Sequence, residues 1–177
     1  MSAPLGPTIA VITLIAVLLV MGGEAILSAF NERLLRARGA IEPEGDVYRA
    51  MQMAYPASFV IMAIEGATRG PAPRDVLFAG LAIFGFAKAL KAWAISSLGP
   101  RWSFRVLVLK DAPLVSAGAY RIVRHPNYVA VVGEIVGFAA IVWAPIAGVL
   151  AVLVFGWLMI QRIRIEDRAL GRGGRGL

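Results

Sequence analysis

The sequence of 177 residues contains no cysteine and a single histidine, His125. The lack of cysteine excludes disulfide bonds, thiolate catalysis and metal sites built from cysteine. One histidine also argues against a histidine-rich metal site, so no bound metal is expected. Common catalytic signatures are missing as well: there is no Walker loop, no Gly-x-Gly-x-x-Gly after a strand, no Gly-x-Ser-x-Gly and no His-Glu-x-x-His.

Apolar residues, in contrast, are in excess. They make up 59% of the chain, and the mean hydropathy of +0.74 is above that of a soluble globular protein. The sequence therefore predicts an all-α integral membrane protein with about five transmembrane helices. The first apolar run lacks a basic segment before it and is long enough to span a bilayer, so it is expected to be retained rather than cleaved.

The length favours one domain, 1–177. We expect three spans in its N-terminal part, 1–95, a cofactor-binding core over 96–170 and a flexible tail at 171–177. The predicted spans are 6–30, 50–67, 76–95, 129–143 and 146–160. The last two would form a tight helical hairpin that continues as helix to residue 170.

Two stretches outside the spans have expected structure of their own. The charged segment 31–49 is expected to be a loop that contains a short helix followed by turns, and a short strand or hairpin is possible over 104–109.

The positive charges predict the orientation in the membrane. Of the 18 lysines and arginines, all but Arg69 and Arg74 fall on one side of the predicted spans. Cations accumulate on the cytoplasmic side of a cell (inner) membrane, so the N-terminus is expected outside and the polar clusters inside. This topology accounts for the net charge of +7 without a nucleic-acid partner.

Two polar clusters flank the predicted hairpin. The first, 118–128, reads Gly-Ala-Tyr-Arg-Ile-Val-Arg-His-Pro-Asn-Tyr, and the second, 162–168, reads Arg-Ile-Arg-Ile-Glu-Asp-Arg. Pro126 favours the start of a helix at this position. Arg162 and Glu166 are four residues apart, so they share a helix face.

Simple interpretations exist for both clusters. Arg121, Arg124 and His125 could be interfacial anchors, and Arg162 with Glu166 could be a surface ion pair. However, anchors do not require His, Pro and two Tyr residues in one string. Arg and His suit a ligand carboxylate and Glu suits an amino group, so the two clusters together match a zwitterionic ligand.

Polar residues inside the predicted spans have two interpretations. Glu24, Ser28 and Asn31 lie on one helical face. They form either an interfacial stripe or the wall of a substrate-binding pocket, because an intramembrane carboxylate must face protein or water. Glu134 is either a partner in a hydrogen bond between helices or a catalytic base.

The two clusters resemble the signature of the isoprenylcysteine carboxyl methyltransferase family. That signature is Arg-His-Pro-x-Tyr, a two-helix spacer, and Arg-Ile-x-x-Glu-Glu-x-x-Leu; 98–103 and 114–115 also fit it. Asp167 replaces the second Glu, and Ala119 replaces the proline that usually follows Gly118.

The resemblance implies a membrane enzyme that transfers a methyl group from S-adenosylmethionine without a Rossmann domain. The residues that it implies as the cofactor site are Tyr120, Arg121, Arg124, His125, Pro126 and Tyr128. Arg162 and Glu166 would close this site and touch the reacting groups. Glu166 is the first candidate for a general base and Glu134 the second.

The N-terminal half resembles a bacterial branch of that family, through Asn31-Glu-Arg, 38–42 and Gly45-Asp-x-Tyr. This branch is often linked to type III polyketide synthases and methylates alkylpyrones or alkylresorcinols. The resemblance therefore implies a lipophilic polyketide acceptor and possible association with a synthase. Carboxyl methylation of a prenylcysteine is the alternative, and a non-enzymatic membrane scaffold or small transporter is the alternative from another class.

Overall fold

The computed structural model describes residues 5–109, 112–113 and 115–169. This part of the chain is helical and contains no β-strand, which confirms the all-α prediction. The helices are α1 (Leu5–Ala37), α2 (Tyr48–Arg69), α3 (Arg74–Leu98), α4 (Ala119–Ile122), α5 (Pro126–Val142) and α6 (Pro145–Ala169), with a 3₁₀ turn at Gly99–Arg101.

All five predicted spans are helices, and they differ in length and apolarity. By length and composition, α1, α6 and the segment formed by α3 with its 3₁₀ turn can cross a membrane. Helix α5 is apolar but has 17 residues, which corresponds to about 25 Å against a hydrocarbon layer of about 30 Å. Helix α2 has 22 residues and does not reach the same hydropathy. The protein is an integral membrane protein.

Helix α1 extends further than the sequence suggested. The expected loop over 31–49 is wrong in its first part, because α1 continues without interruption to Ala37. Residues 31–38 contain no glycine or proline that would break the helix, and the helical path ends at Gly39, whose φ is 82°. Asn31 and its neighbours are therefore fixed on a rigid helix rather than on a loop.

The possible strand at 104–109 is limited to one antiparallel bridge. The backbone N–H of Ile41 donates to the Val108 carbonyl at 2.9 Å, and the N–H of Val108 donates back to Ile41 at 2.9 Å. This bridge joins the loop before α2 to the segment after α3. The two segments therefore lie at the same end of the helix bundle.

Helices α5 and α6 form the predicted hairpin. Trp143 adopts a left-handed conformation with φ of 58°, and the N–H of Ala144 donates to the Ala139 carbonyl at 2.8 Å. Because the two helices are antiparallel, the start of α5 lies beside the end of α6. The hairpin helix is confirmed to Ala169, whereas Leu170 and the tail at 171–177 lie outside the described residues.

The bundle packs around aromatic side chains and close glycine contacts. Phe59 meets Phe138 edge to face, with ring centroids 4.9 Å apart. A Cβ at Gly137 would lie 2.7 Å from the backbone nitrogen of Phe84, so α3 and α5 approach more closely than larger residues allow. Apolar side chains such as Leu19 point outward, as expected for a surface that faces lipid.

Candidate active site

The start of α5 is set by the Arg-His-Pro sequence. Pro126 occupies the first turn of α5, where its missing N–H leaves no hydrogen bond unmade. The carbonyl of His125 accepts the N–H groups of Tyr128 at 3.1 Å and Val129 at 3.3 Å. His125 and Tyr128 are thereby placed next to each other, with ring centroids 5.5 Å apart.

A short helix, α4, positions Tyr120 beside them. It is preceded by Gly118 with φ of 59°, where a Cβ would collide with the side chain of Ser97. The Ser97 hydroxyl accepts the N–H of Ala119 at 3.1 Å. Burial, and then the nearby Glu166 carboxylate, raise the pKa of the Tyr120 hydroxyl above its usual value. Tyr120 therefore stays neutral and can donate a hydrogen bond.

The hydroxyl of Tyr128 links the two residues predicted on α6. It donates to Oε2 of Glu166 at 2.8 Å and accepts from Nε of Arg162 at 3.0 Å. Among the contacts of the described residues, Arg162 and Glu166 are joined through this phenol and not by a direct ion pair. The simple interpretation, a surface ion pair between Arg162 and Glu166, is therefore wrong for this face of α6.

The guanidinium of Arg162 is held by groups from three parts of the chain. Besides Tyr128, it donates from Nη1 to Oδ1 of Asp46 at 3.2 Å and from Nη2 to the carbonyl of Phe104. The side chain is 6% exposed. Three of the five N–H donors that a guanidinium carries are thus engaged, which leaves two for a ligand.

His125 lies between the two acids of α6. Its Nδ1 is 3.9 Å from Oε2 of Glu166, and its Nε2 is 3.5 Å from Oδ1 of Asp167. Neither contact has hydrogen-bond geometry, and both Nε2 of His125 and Oδ1 of Asp167 are buried without a hydrogen-bond partner. The imidazole is therefore positioned by packing rather than by hydrogen bonds of its ring.

A cavity of about 170 Å³ lies among these residues. Five predicted site residues meet there: Tyr120, His125, Tyr128, Arg162 and Glu166. The facing wall is the segment 101–109, which contributes mostly apolar side chains, and Leu35 of α1 closes one side. The cavity thus combines a charged floor with an apolar wall.

The remaining predicted cofactor residues do not line this cavity. Arg121 and Arg124 are exposed, as interfacial anchors would be, and Pro126 is buried where it starts α5. Their predicted contact with a cofactor stays a prediction. No group of three or more His, Cys, Asp or Glu residues in the described ranges is placed to hold a metal ion.

The polar stripe of α1 contacts other parts of the protein. Ser28 accepts the N–H of Phe104 at 2.8 Å, and Asn31 donates to the carbonyl of Trp102 at 2.8 Å. One turn deeper, Glu24 pairs with Lys91 at 2.6 Å. The stripe therefore fixes α1 to α3 and to the wall, and its predicted role in binding substrate stays a prediction.

Glu134 belongs to the same intramembrane network as Glu24. It is fully buried and is contacted by the Tyr55 hydroxyl, by Lys88 at 3.2 Å and by Lys91 at 3.4 Å. Glu134 is not among the residues that line the cavity. The structure thus shows the polar contact between helices that was one of its two interpretations.

Sequence reasoning did not propose Asp46 as a site residue. It lies in the loop before α2, and its side chain is 4% exposed. The Gly45-Asp-x-Tyr pattern pointed to this position, but only as a mark of a family branch. Its partner Arg162 is 116 residues away in the sequence, and no local pattern reveals such a contact.

The match to a family model covers the region in which this cavity is built. Residues 80–172 match the Isoprenylcysteine carboxyl methyltransferase (ICMT) family, which is just over half of the chain. The chain belongs to this family. The protein is accordingly a membrane methyltransferase, and the five predicted residues that meet in the cavity all fall within the matched region.

Two curated relatives of this ICMT-family member extend the similarity to most of the chain. The uncharacterized protein YpbQ of Bacillus subtilis is 29% identical over 158 residues, which cover 89% of this chain and 94% of the relative. An uncharacterized protein of Haemophilus influenzae is 24% identical over 145 residues, which cover 81% of this chain and 84% of the relative. No solved structure matches the chain significantly.

Proposed function

We propose that this protein transfers the methyl group of S-adenosylmethionine to an oxygen atom of a lipophilic acceptor. The observation that carries the proposal is the convergence of His125, Tyr128, Arg162 and Glu166 on one cavity at an end of an apolar helix bundle. In this proposal, a charged cofactor enters the cavity from water and an apolar acceptor enters from the lipid. ICMT-family membership supports the methyl transfer itself.

The chemistry of the cavity fits the cofactor. S-adenosylmethionine carries a carboxylate, an amino group and polar base edges, so it needs both donors and acceptors. Three cavity residues have a buried polar atom without a protein partner: Nε2 of His125, Oδ1 of Asn127 and Nε1 of Trp102. Nε1 of Trp102 is a donor and Oδ1 of Asn127 is an acceptor, so these atoms provide both kinds of group.

When bound, the cofactor supplies an electrophilic methyl group on its sulfonium. Glu166 can take the proton of an acceptor hydroxyl, because only its Oε2 is occupied by Tyr128. The two unused donors of Arg162 can hold the acceptor oxygen. The cavity wall at 106–109 is apolar, which would reduce the number of water molecules near the reacting oxygen.

A polyketide of the alkylpyrone or alkylresorcinol type is the acceptor that we propose. Its enol or phenol needs a base, which Glu166 can provide, and its alkyl chain suits the lipid-facing bundle. A prenylcysteine carboxylate is the alternative acceptor, and it would not need a base. Association with a polyketide synthase remains a prediction from the family branch.

We place the cavity on the cytoplasmic side of the inner membrane, with the N-terminus outside. The support is the distribution of charge over the bundle. The cavity end carries Arg36, Arg38, Arg105 and Arg164, whereas Arg69 and Arg74 lie at the other end. This asymmetry agrees with the positive-inside rule.

Labelled S-adenosylmethionine and a panel of acceptors test the proposal. Membranes that contain the protein are incubated with alkylpyrone, alkylresorcinol and prenylcysteine compounds, and the lipid extract is assayed for label. We expect label in a polyketide acceptor, and its loss with His125→Ala. Label in prenylcysteine alone would select the alternative acceptor, and no cofactor binding at all would favour a scaffold or transporter.

A further inference from the structure

The loop between α1 and α2 contacts Arg162, a residue that lines the cavity, through one carboxylate. Oδ1 of Asp46 accepts from Nη1 of Arg162 at 3.2 Å, and Oδ2 accepts the N–H of Val106 at 3.5 Å. The side chains of Asp46 and Arg162 are 4% and 6% exposed. Asp46 does not line the cavity, so it acts from behind Arg162 and the wall.

Asp46 and Arg162 together hold both ends of a short wall segment. Arg162 donates to the carbonyl of Phe104, while Asp46 accepts from Val106 two residues later. Ser28 of α1 accepts the N–H of Phe104 at 2.8 Å. The position of the wall at 104–106 and the position of the guanidinium therefore depend on the same pair.

The loop that carries Asp46 is itself anchored. Arg105 donates to Glu42 at 2.6 Å and lies over the ring of Tyr48, 4.2 Å from its centroid. Burial alone would raise the pKa of Glu42, but hydrogen bonds from Arg105 and Arg36 outweigh it and lower that pKa. The carboxylate of Glu42 thus stays charged, and the loop presents Asp46 in a fixed place.

We propose that Asp46 is a positioning residue for methyl transfer. It orients the guanidinium of Arg162 so that the two unused donors of this group point to the acceptor oxygen. This inference rests on the proposed function. An arginine side chain has many rotamers, and a planar fork recognises an oxygen only in the correct orientation. Partners on Nε, Nη1 and Nη2 leave a single orientation, and Asp46 is the one charged partner among them.

Asp46→Asn is the sharpest variant, because it keeps the shape of the side chain and removes its charge. Glu44→Gln is the matched control, since Glu44 is an exposed acid of the same loop. We expect Asp46→Asn to lower kcat on the order of 10–100-fold, because small misplacement of a catalytic group has effects of this size. The Kd for S-adenosylmethionine should change little. The Glu44→Gln variant should have the kcat and Kd of the wild-type protein.

A double-mutant cycle separates positioning from general support of the fold. In an Arg162→Lys background, Asp46→Asn should produce almost no further loss of kcat, because the group that it positions is already altered. Losses that multiply, or a normal kcat for Asp46→Asn, would overturn the inference. If Asp46→Asn does not fold, Asp46→Glu provides the second variant, since it keeps the charge but displaces the fork and should also lower kcat.

The outcomes distinguish this inference from the proposed function. If the wild-type protein neither binds S-adenosylmethionine nor methylates any acceptor, the proposed function is refuted, and the inference with it. If the wild-type protein is active and the Asp46→Asn variant is equally active, only the inference is refuted.

Discussion

Replacing Glu166 with glutamine tests the proposed base with the least change in shape. The carboxylate accepts the Tyr128 hydroxyl at 2.8 Å through Oε2, and the glutamine oxygen can accept the same bond. Because the side chain is 26% exposed, loss of its charge should have a modest effect on folding, about 0–1 kcal/mol. A measurable loss of activity would therefore report chemistry rather than stability.

The expected loss of turnover follows from the role of a general base. Removing such a base typically lowers the rate by about 10²–10⁴-fold, and about 10²-fold corresponds to roughly 2.7 kcal/mol in the activation barrier. This is well above the effect of an exposed hydrogen bond. We therefore expect Glu166→Gln to lose at least about 10²-fold in kcat with a modest change in cofactor affinity.

Initial rates at saturating S-adenosylmethionine measure this loss, and calorimetry on detergent-purified protein measures the affinity. Glu44→Gln serves as the control for removal of one negative charge. Near-normal turnover of Glu166→Gln would refute the assignment of the base. It would leave no protein group of the cavity in that role, because Glu134 is buried outside the cavity, and the cofactor site argued from His125 would stand.

The remaining predictions concern the cofactor site, the buried network and the topology. His125→Ala should abolish binding of S-adenosylmethionine in calorimetry while the protein remains monodisperse; unchanged affinity would make His125 an anchor. Glu134→Gln should destabilise the fold by about 3 kcal/mol, seen as a lower Tm, because Lys88 and Lys91 lose a buried partner; an unchanged Tm would contradict this. Cysteines introduced at positions 2 and 176 should be labelled from opposite sides of the membrane, and labelling from the same side would refute the five-span topology.

Local sequence patterns predicted the part of the site that depends on local geometry. Pro126 marked the start of α5, and the spacing of Arg162 and Glu166 placed both on one face of α6. The short turn at Ala144-Pro145 implied an antiparallel hairpin, which necessarily brings these two helix ends together. The meeting of Tyr128 with Arg162 and Glu166 follows from these features.

The contacts that connect distant segments could not be predicted in the same way. The sequence showed that Glu24 needs a polar partner inside the membrane, but it did not show that the partners are Lys88 and Lys91. Likewise, nothing local indicates that the carboxylate of Asp46 reaches Arg162. Such pairings depend on how complete helices pack, which single-residue patterns do not encode.

The anchoring of the wall by Ser28, Asn31 and Asp46 limits how this protein can be recombined with its relatives. These three residues precede the region that matches the family, yet their side chains hold Phe104, Trp102 and Arg162 inside it. A polypeptide excised at residue 80 would keep the signature residues and lose the supports behind them. A chimera that takes its first two helices from a relative would need to import compatible side chains at 28, 31 and 46 together.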